Sequence, residues 1–328
     1  MESLFGYGTE ERLGKENKLV KLKKVLDWGR FEKHLQGIHK NQIEDKGGQR
    51  PYDSLKMFKA ILLGQWHSLS DPALEESLRV RLDFMLFTGF ELGSDLPDET
   101  TLCRFRNQLI DRGLDKRLFK ELNKQLENLN LKVKNCHGAV VDATIIDSAS
   151  RPNRHLDANE DTGEYEVKES ADKDARWLKK GKKFHFGYRG YVRTDAKDGY
   201  IEAVHVKSAN KPEVKELEKT VENCNAKRVY ADKGFASKSN RNMLKSKGLR
   251  DGIMEKATRF KPLTVWQKLK NKLISTQRFI VERTFGTLKR QLRMARSSYR
   301  GRRRTEGQLI FKAMCLNMLK AANTLTIN

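Results

Sequence analysis

The segment Gly138–Asp147, GAVVDATIID, decides how the second half of the chain is read. Val140, Val141, Ile145 and Ile146 make it β-rich, after a long stretch that reads as helix throughout, so a second domain starts here. Asp142 sits inside this first strand. Aspartate is disfavoured in strands and costly to bury without a partner, so its presence there needs a reason. Asp147 lies five positions further on and, on a continuous strand, faces the opposite side. The residues alone do not choose between the two acids.

Downstream, Tyr188–Arg193 and Tyr200–Lys207 pair as a hairpin around the Asp195–Gly199 turn. Pro212–Asn223 reads as a helix. Arg228–Ala231 is a short strand that ends at Asp232, followed at once by Gly234 and a helix from Ser237 to Lys247. Arg250–Met254 is a last strand, and Gly307–Ala322 a final helix with Leu309, Ala313, Leu316 and Ala321 inward. Before the hairpin comes a polar segment, Ser148–Lys183, that reads as a surface insertion after the first strand. The order predicts a mixed sheet flanked by helices, an α/β arrangement of the ribonuclease H-like kind. There, acids in the first strand, at the end of a later strand and on a late helix can converge.

The late helix lies in Ile274–Arg304, ISTQRFIVERTFGTLKRQLRMARSSYRGRRR. From Thr276 to Ala295 the only Gly or Pro is Gly286, so a helix is expected. Arg278, Glu282 and Lys289 share a direction, and Val281, Phe285, Leu288 and Leu292 form an apolar stripe about a quarter-turn away. Glu282 is the single acid of the stretch. Beyond it stand Arg290, Arg293, Arg296, Arg300, Arg302, Arg303 and Arg304. A carboxylate in such surroundings is either a salt-bridge partner on a solvated face or a metal ligand beside a polyanion. Asp142, Asp232 and Glu282 stand out as a set. Carboxylate oxygens hold hard divalent cations, two of them about 3.5–4 Å apart in sites that cut phosphodiesters. Without metal, three such carboxylates repel one another.

The first half divides in two. Residues 1–50 read as a basic N-terminal arm and linker, with a short helix at Leu19–Leu26, more helix around Trp28, Phe31 and Leu35, and a Gly-rich joint at Asp45–Pro51. Residues 51–135 read as an all-helical domain: Asp53 or Ser54 caps one helix, Asp71 with Pro72 starts another, Asp98 caps a third, and Leu114–Leu129 is amphipathic. Short helices on tight turns resemble a helix-turn-helix array, and a plain helical support is the competing reading. Arg104, Arg106 and Arg112 fall near a candidate DNA surface.

The 328 residues suggest roughly two domains. Lys and Arg number 66 against 43 acids, a net +23, which points to a polyanion and first to nucleic acid. No basic amphipathic segment stands apart to suggest a membrane surface, no apolar run is long enough to span one, and the first residues do not form a signal peptide. Cys103, Cys136, Cys224 and Cys315 are scattered without a CxxC pair, so reduced thiols in a cytoplasmic protein are expected. The end of the insertion joins Trp177 to Arg176, Lys179, Lys180, Lys182 and Lys183. An aromatic among cations suits base stacking with phosphate contact; a basic loop anchored by Trp177 is the alternative.

Taken together, the motifs resemble the DDE transposases of bacterial insertion sequences, of the insertion-sequence-five type. The resemblance spans most of the chain. It rests on Ser70–Leu78 (SDPALEESL), Pro97–Asn107 (PDETTLCRFRN), Val141–Ala143, Asp172–Trp177, Tyr230–Phe235 (YADKGF) and Arg278–Lys289. Asp232, Gly234 and Phe235 meet the family's Asp, Gly, aromatic motif. Arg278, Glu282 and Lys289 meet its Tyr, Arg, Glu, Lys motif, with Ser275 where the Tyr is expected.

The resemblance implies a ribonuclease H-like catalytic domain over 136–328, with the insertion at about 148–183. It implies Asp142, Asp232 and Glu282 as catalytic, metal-binding residues, with Mg2+ as the ion and Mn2+ able to substitute. It implies Arg278 and Lys289 as auxiliary DNA contacts; the charge of the chain itself adds Trp177, Lys179, Lys180, Lys182 and Lys183 at the end of the insertion and Arg290, Arg293, Arg296, Arg300 and Arg303 after Glu282. The expected partners are double-stranded DNA, as terminal inverted repeats and target, and further copies in a homodimer or higher multimer. The expected setting is the bacterial nucleoid. A non-catalytic DNA-binding protein and a nuclease that does not join strands are the alternatives.

Overall fold

The computed structural model describes residues 4–39, 50–134, 136–152, 156–158, 165–167 and 170–325. The chain forms two compact units, Met1–Lys132 with Ile310–Asn328, and Val133–Leu309.

The first unit is helical: α1 (Leu4–Leu13), α2 (Lys18–Val25), α3 (Trp28–Leu35), α4 (Ser54–His67), α5 (Asp71–Val80), α6 (Leu82–Thr88), α7 (Glu99–Asp111) and α8 (Leu114–Asn128). The expected starts are present. Asp53 accepts from Lys56 N at 2.8 Å, Asp98 from Thr101 N at 2.6 Å, and Ser70 caps the helix in which Pro72 sits in the first turn. The N-terminal segment is not an extended arm over its described residues. Val20, Leu22, Phe31, Leu35 and Ile38 are buried core, because apolar positions recur at helical spacing among the lysines. Residues 40–49, where most of the expected linker falls, lie outside the described residues. Arg106 is not on a DNA surface: it is buried and forked onto the Asp71 carboxylate, while Arg112 donates to Gly37 O at 3.1 Å.

The second unit holds a sheet. Its elements are β1 (Gly138–Asp147), β2 (Leu156–Ala158), β3 (Tyr165–Val167), β4 (Arg176–Lys180), β5 (Lys183–Asp195), β6 (Ile201–Ser208), α9 (Leu217–Thr220), β7 (Arg228–Ala231), α10 (Lys238–Ser246), β8 (Arg250–Ile253) and α11 (Val265–Arg290). Last comes α12 (Arg302–Thr324), which contributes its first turns here and the rest to the helical unit. The six-stranded sheet runs β4-β5-β1-β7-β8, with β6 also on β5. β5 and β6 are antiparallel to their neighbours, while β7 and β8 run parallel with β1. This is a mixed sheet with helices, consistent with the ribonuclease H-like arrangement.

One sheet face is covered by a core of Val141, Tyr191, Leu217, Val221, Val229, Phe235, Leu244 and Ile253. Helix α11 packs against β1 and β7 and buries Ile274, Val281, Thr284 and Leu288. The helix expected over Pro212–Asn223 is broken, with a 3-10 turn at Glu213–Lys215 and a single turn of α9. The expected insertion is only partly described. β2 and β3 pair within it, and its end is no loop: Arg176–Lys180 forms an edge strand hairpinned to β5 through Gly181, which adopts φ +59°.

Candidate active site

The sheet register brings the first two acids together. β1 and β7 are parallel with Val141 beside Ala231, where β7 ends, so the next residue on each is Asp142 and Asp232. The parallel pairing of β1 with β7 stops at this carboxyl end of β7, while β1 continues beside antiparallel β5 on its other side, and the carboxyl ends of parallel strands are where open sheets bind ligands. Asp232 caps the following 3-10 turn, accepting from Lys233 N at 2.7 Å. Asp142 Oδ1 accepts from Ala143 N at 2.8 Å, and its side chain is 17% exposed. Burial pushes the Asp142 carboxyl above the usual range, and Arg278 works against that.

The partner of these acids is Arg278, not Glu282. Arg278 Nη2 donates to Asp142 Oδ2 at 2.7 Å, and its Nη1 stands 3.6 Å from Asp232 Oδ1. The guanidinium is buried, and its Nε has no hydrogen-bond partner among the described residues. Glu282, one turn along α11, is exposed. Among the described residues no group of three or more His, Cys, Asp or Glu is gathered to hold a metal. Two of the three expected ligands therefore converge. As hard oxygen donors they fit a divalent cation in kind, and the position between them already carries a positive group.

Two further groups line this end of the sheet. Glu213 pairs with Arg189 at 3.2 Å, and its carboxyl is raised by burial, then by the charges of Asp142 and Asp232. Nothing in the polar run Lys211–Glu213 marked it in the sequence. Asp147, the other acid of β1, accepts or shares a proton with His185 at 2.9 Å and stays out of the cluster.

The expected DNA contacts separate into two kinds. Arg296 is not available. Its Nε and Nη2 donate to Ser148 O and Ala149 O, both at 2.9 Å, because the chain after α11 returns to β1. Arg290, Arg293 and Arg300 are exposed. Arg293 adopts φ 49°, which ends the helix at Arg290 rather than at Ala295. Lys289 is half-buried, and burial followed by the nearby charge of Lys180 lowers its pKa. On the β4–β5 hairpin, Lys179, Lys180, Lys182 and Lys183 are exposed, and Trp177 is 45% exposed with its ring edge against Phe184, itself 64% exposed. Phe184 was missed, although the alternation Lys183–Phe184–His185–Phe186 signals a strand with aromatics on one side.

The fold is a mixed sheet with helices, and the site is a pair of aspartates, Asp142 and Asp232, bridged by Arg278. The chain belongs to the Transposase DDE domain family, which it matches over residues 138–318, while residues 8–108 match the Transposase domain (DUF772). It is similar to the transposase for insertion sequence element IS1106 of Neisseria meningitidis serogroup B, 43% identical over 279 residues, 84% of this chain and 93% of that protein. It is thus a DNA transposase of the DDE type from the bacterial insertion-sequence group, a family known to use divalent metal ions. The reading as a non-catalytic binder is not favoured. A solved piggyBac transposase synaptic complex with hairpin DNA overlays at a TM-score of 0.40 and 12% identity, covering 92% of this chain and 76% of that one, a likeness too slight to carry weight. No helix among the described residues is long and apolar enough to cross a membrane.

Proposed function

We propose that this transposase binds the terminal inverted repeats of its element and performs strand cleavage and strand transfer with Asp142, Asp232 and Glu282 as the metal-binding residues. The observation that carries this is the placement of Asp232, just past the end of β7, beside Asp142 in the middle of β1, joined through Arg278 of the helix that bears Glu282. Mg2+, or Mn2+ in its place, supplies activation of the attacking oxygen and stabilisation of the leaving one. Arg278 offsets one of the two negative charges of Asp142 and Asp232. Glu282 faces solvent, where a phosphodiester has access to it.

DNA lies along Lys180, Lys289, Arg290, Arg293, Arg300 and Arg303, with Lys179, Lys182 and Lys183 on the hairpin and Trp177 and Phe184 stacking on bases. Cations that neutralise phosphates bind without regard to sequence, and exposed aromatics add stacking. A multimer is supported by a second apolar stripe on α11 that faces away from the core. Trp266, Leu269, Leu273, Thr276 and Ile280 recur at alternating spacings of three and four, with Trp266 79% and Leu273 63% exposed. That is the pattern of a helix-pairing seam.

Strand transfer with pre-cleaved repeat ends tests the proposal. Joined product is expected. Hydrolysis without joining would make the protein a nuclease, and binding without either would make it an occupant of repeats.

A further inference from the structure

The turn that carries Asp232 is held from outside the three acids. Gly234 follows Asp232 by two residues, and its φ is not in the left-handed region, so conformation does not call for glycine there. Space does. A Cβ on Gly234 would collide with the Glu213 carboxylate, which lies directly against it. Glu213 is in turn fixed by Arg189, whose Nη1 stands 3.2 Å from Glu213 Oε1 and also donates to Lys211 O at 3.2 Å. Arg189 projects from β5 opposite Ile145 of β1, in the middle of the sheet. A second tie runs beside the first. Buried Asn240 donates from Nδ2 to Val214 O at 2.9 Å and to Phe235 O at 2.8 Å, lacing the residue after Glu213 to the end of the Asp232 turn.

We propose that Glu213, clamped by Arg189 and seated on Gly234, is a positioning residue that sets the place of the Asp232 carboxylate. This rests on the reading of Asp232 as a site residue. Glu213 has a reason to be an acid rather than an apolar wedge. The charges of Asp142 and Asp232 raise its carboxyl, and those of Arg189 and Lys180 oppose them. A negative charge on a segment tied to the same turn adds to the field that draws a cation toward Asp142 and Asp232 and fixes the ligand that receives it. Groups that orient a metal ligand commonly matter to metal affinity nearly as much as the ligands. The glycine of the Asp, Gly, aromatic motif then has a stated cause: it is the floor on which the carboxylate sits.

The test uses the full-length protein with Glu213→Gln, which keeps the shape and removes the charge, Gly234→Ala, the double variant, and Asp232→Asn as reference. Two quantities are read. The first is amide hydrogen exchange of Lys233–Phe235 in metal-free protein; the second is the Mg2+ concentration giving half-maximal strand transfer. Glu213→Gln should raise local exchange roughly tenfold, leaving the rest of the sheet protected. It should raise the half-maximal Mg2+ concentration about tenfold, with repeat-end binding unchanged. Gly234→Ala should do the same, and the double variant should be no worse than either single one, because one loosens the Arg189 clamp on the Glu213 side chain and the other lifts that same side chain from its seat. Wild-type exchange or wild-type Mg2+ dependence in Glu213→Gln overturns the proposal. So does exchange raised throughout the sheet with a lowered melting temperature, which would make Glu213 structural. Full activity in Asp232→Asn would instead remove the underlying site reading, and the metal-free exchange separates that failure from the other.

Discussion

Replacing Arg278 by Gln would leave Asp142 largely buried beside Asp232 with no cation between them. In the protein the Arg278 side chain is 11% exposed and its carboxylate partner Asp142 17%, so this is a substantially desolvated pair. Removing one partner of such a pair costs about 3–5 kcal/mol when the remaining charge is trapped. The lower end applies, about 3 kcal/mol, because Asp142 can take up a proton and solvent reaches Asp232, 33% exposed. The assay is urea unfolding at neutral pH, in EDTA and again in millimolar Mg2+. Metal binds the folded state and should return much of the loss in the variant, about 1–2 kcal/mol more than it adds to wild type, since it supplies the charge that Arg278 supplied. A variant as stable as wild type in EDTA would refute this reasoning, and equal Mg2+ effects on both proteins would show that the cation does not go between the two aspartates.

Three further outcomes are expected. Trp177→Ala and Phe184→Ala, on the exposed hairpin, should weaken end processing and leave the melting temperature within a few degrees; unfolding in either would make that ring a core anchor. Arg293→Ala with Arg300→Ala should lower DNA affinity for all sequences and flatten its salt dependence by about two phosphate contacts, whereas Arg296→Ala should cost about 1–2 kcal/mol of stability through its two lost carbonyl bonds; fluorescence anisotropy across a salt series and thermal melts separate them. Lys59 is buried against Trp28, with Nζ 4.5 Å from the ring centroid, and burial lowers its pKa to about 8. The unfolded chain then holds that proton more tightly than the folded one, so stability should rise as pH climbs from about 8 toward the ordinary 10.5. Lys59→Met should remove that rise and stabilise the protein at pH 7 by about 1–2 kcal/mol, and denaturation at several pH values checks both.

Much of this was legible in the sequence where one residue type has one local meaning. The strands at Gly138–Asp147 and Arg228–Ala231 were readable because short runs of strand-favouring residues end at polar breaks, and the helix caps at Asp53 and Asp98 because capping chemistry is local. Over Pro212–Asn223 composition fits a helix, but Val214 and Phe235 are tied through Asn240, and tertiary bonding wins over propensity. Charge was legible as a total and illegible residue by residue. Arg106, Arg278 and Arg296 look like the other arginines in sequence, yet each is spent inside the protein on a partner far along the chain, Asp71, Asp142 and Ser148. That pairing also changes what mutual repulsion of the acids implies. Repulsion alone would let loss of the Asp142 charge relieve crowding in metal-free protein, but the loss also takes from buried Arg278 its closest carboxylate, which costs stability. Glu282, exposed, should show no such cost.

The most direct test is plasmid excision and joining in Mg2+ for Asp142→Asn, Asp232→Asn, Glu282→Gln and Asp147→Asn, each scored beside repeat-end binding. These substitutions keep shape and remove one charge. Loss of cleavage and joining in the first three, with binding kept and with most activity retained in Asp147→Asn, is the predicted result, because an in-line site that lacks one ligand loses its geometry. Full activity in Glu282→Gln would show that the exposed acid of α11 takes no part in the chemistry and would contradict the triad.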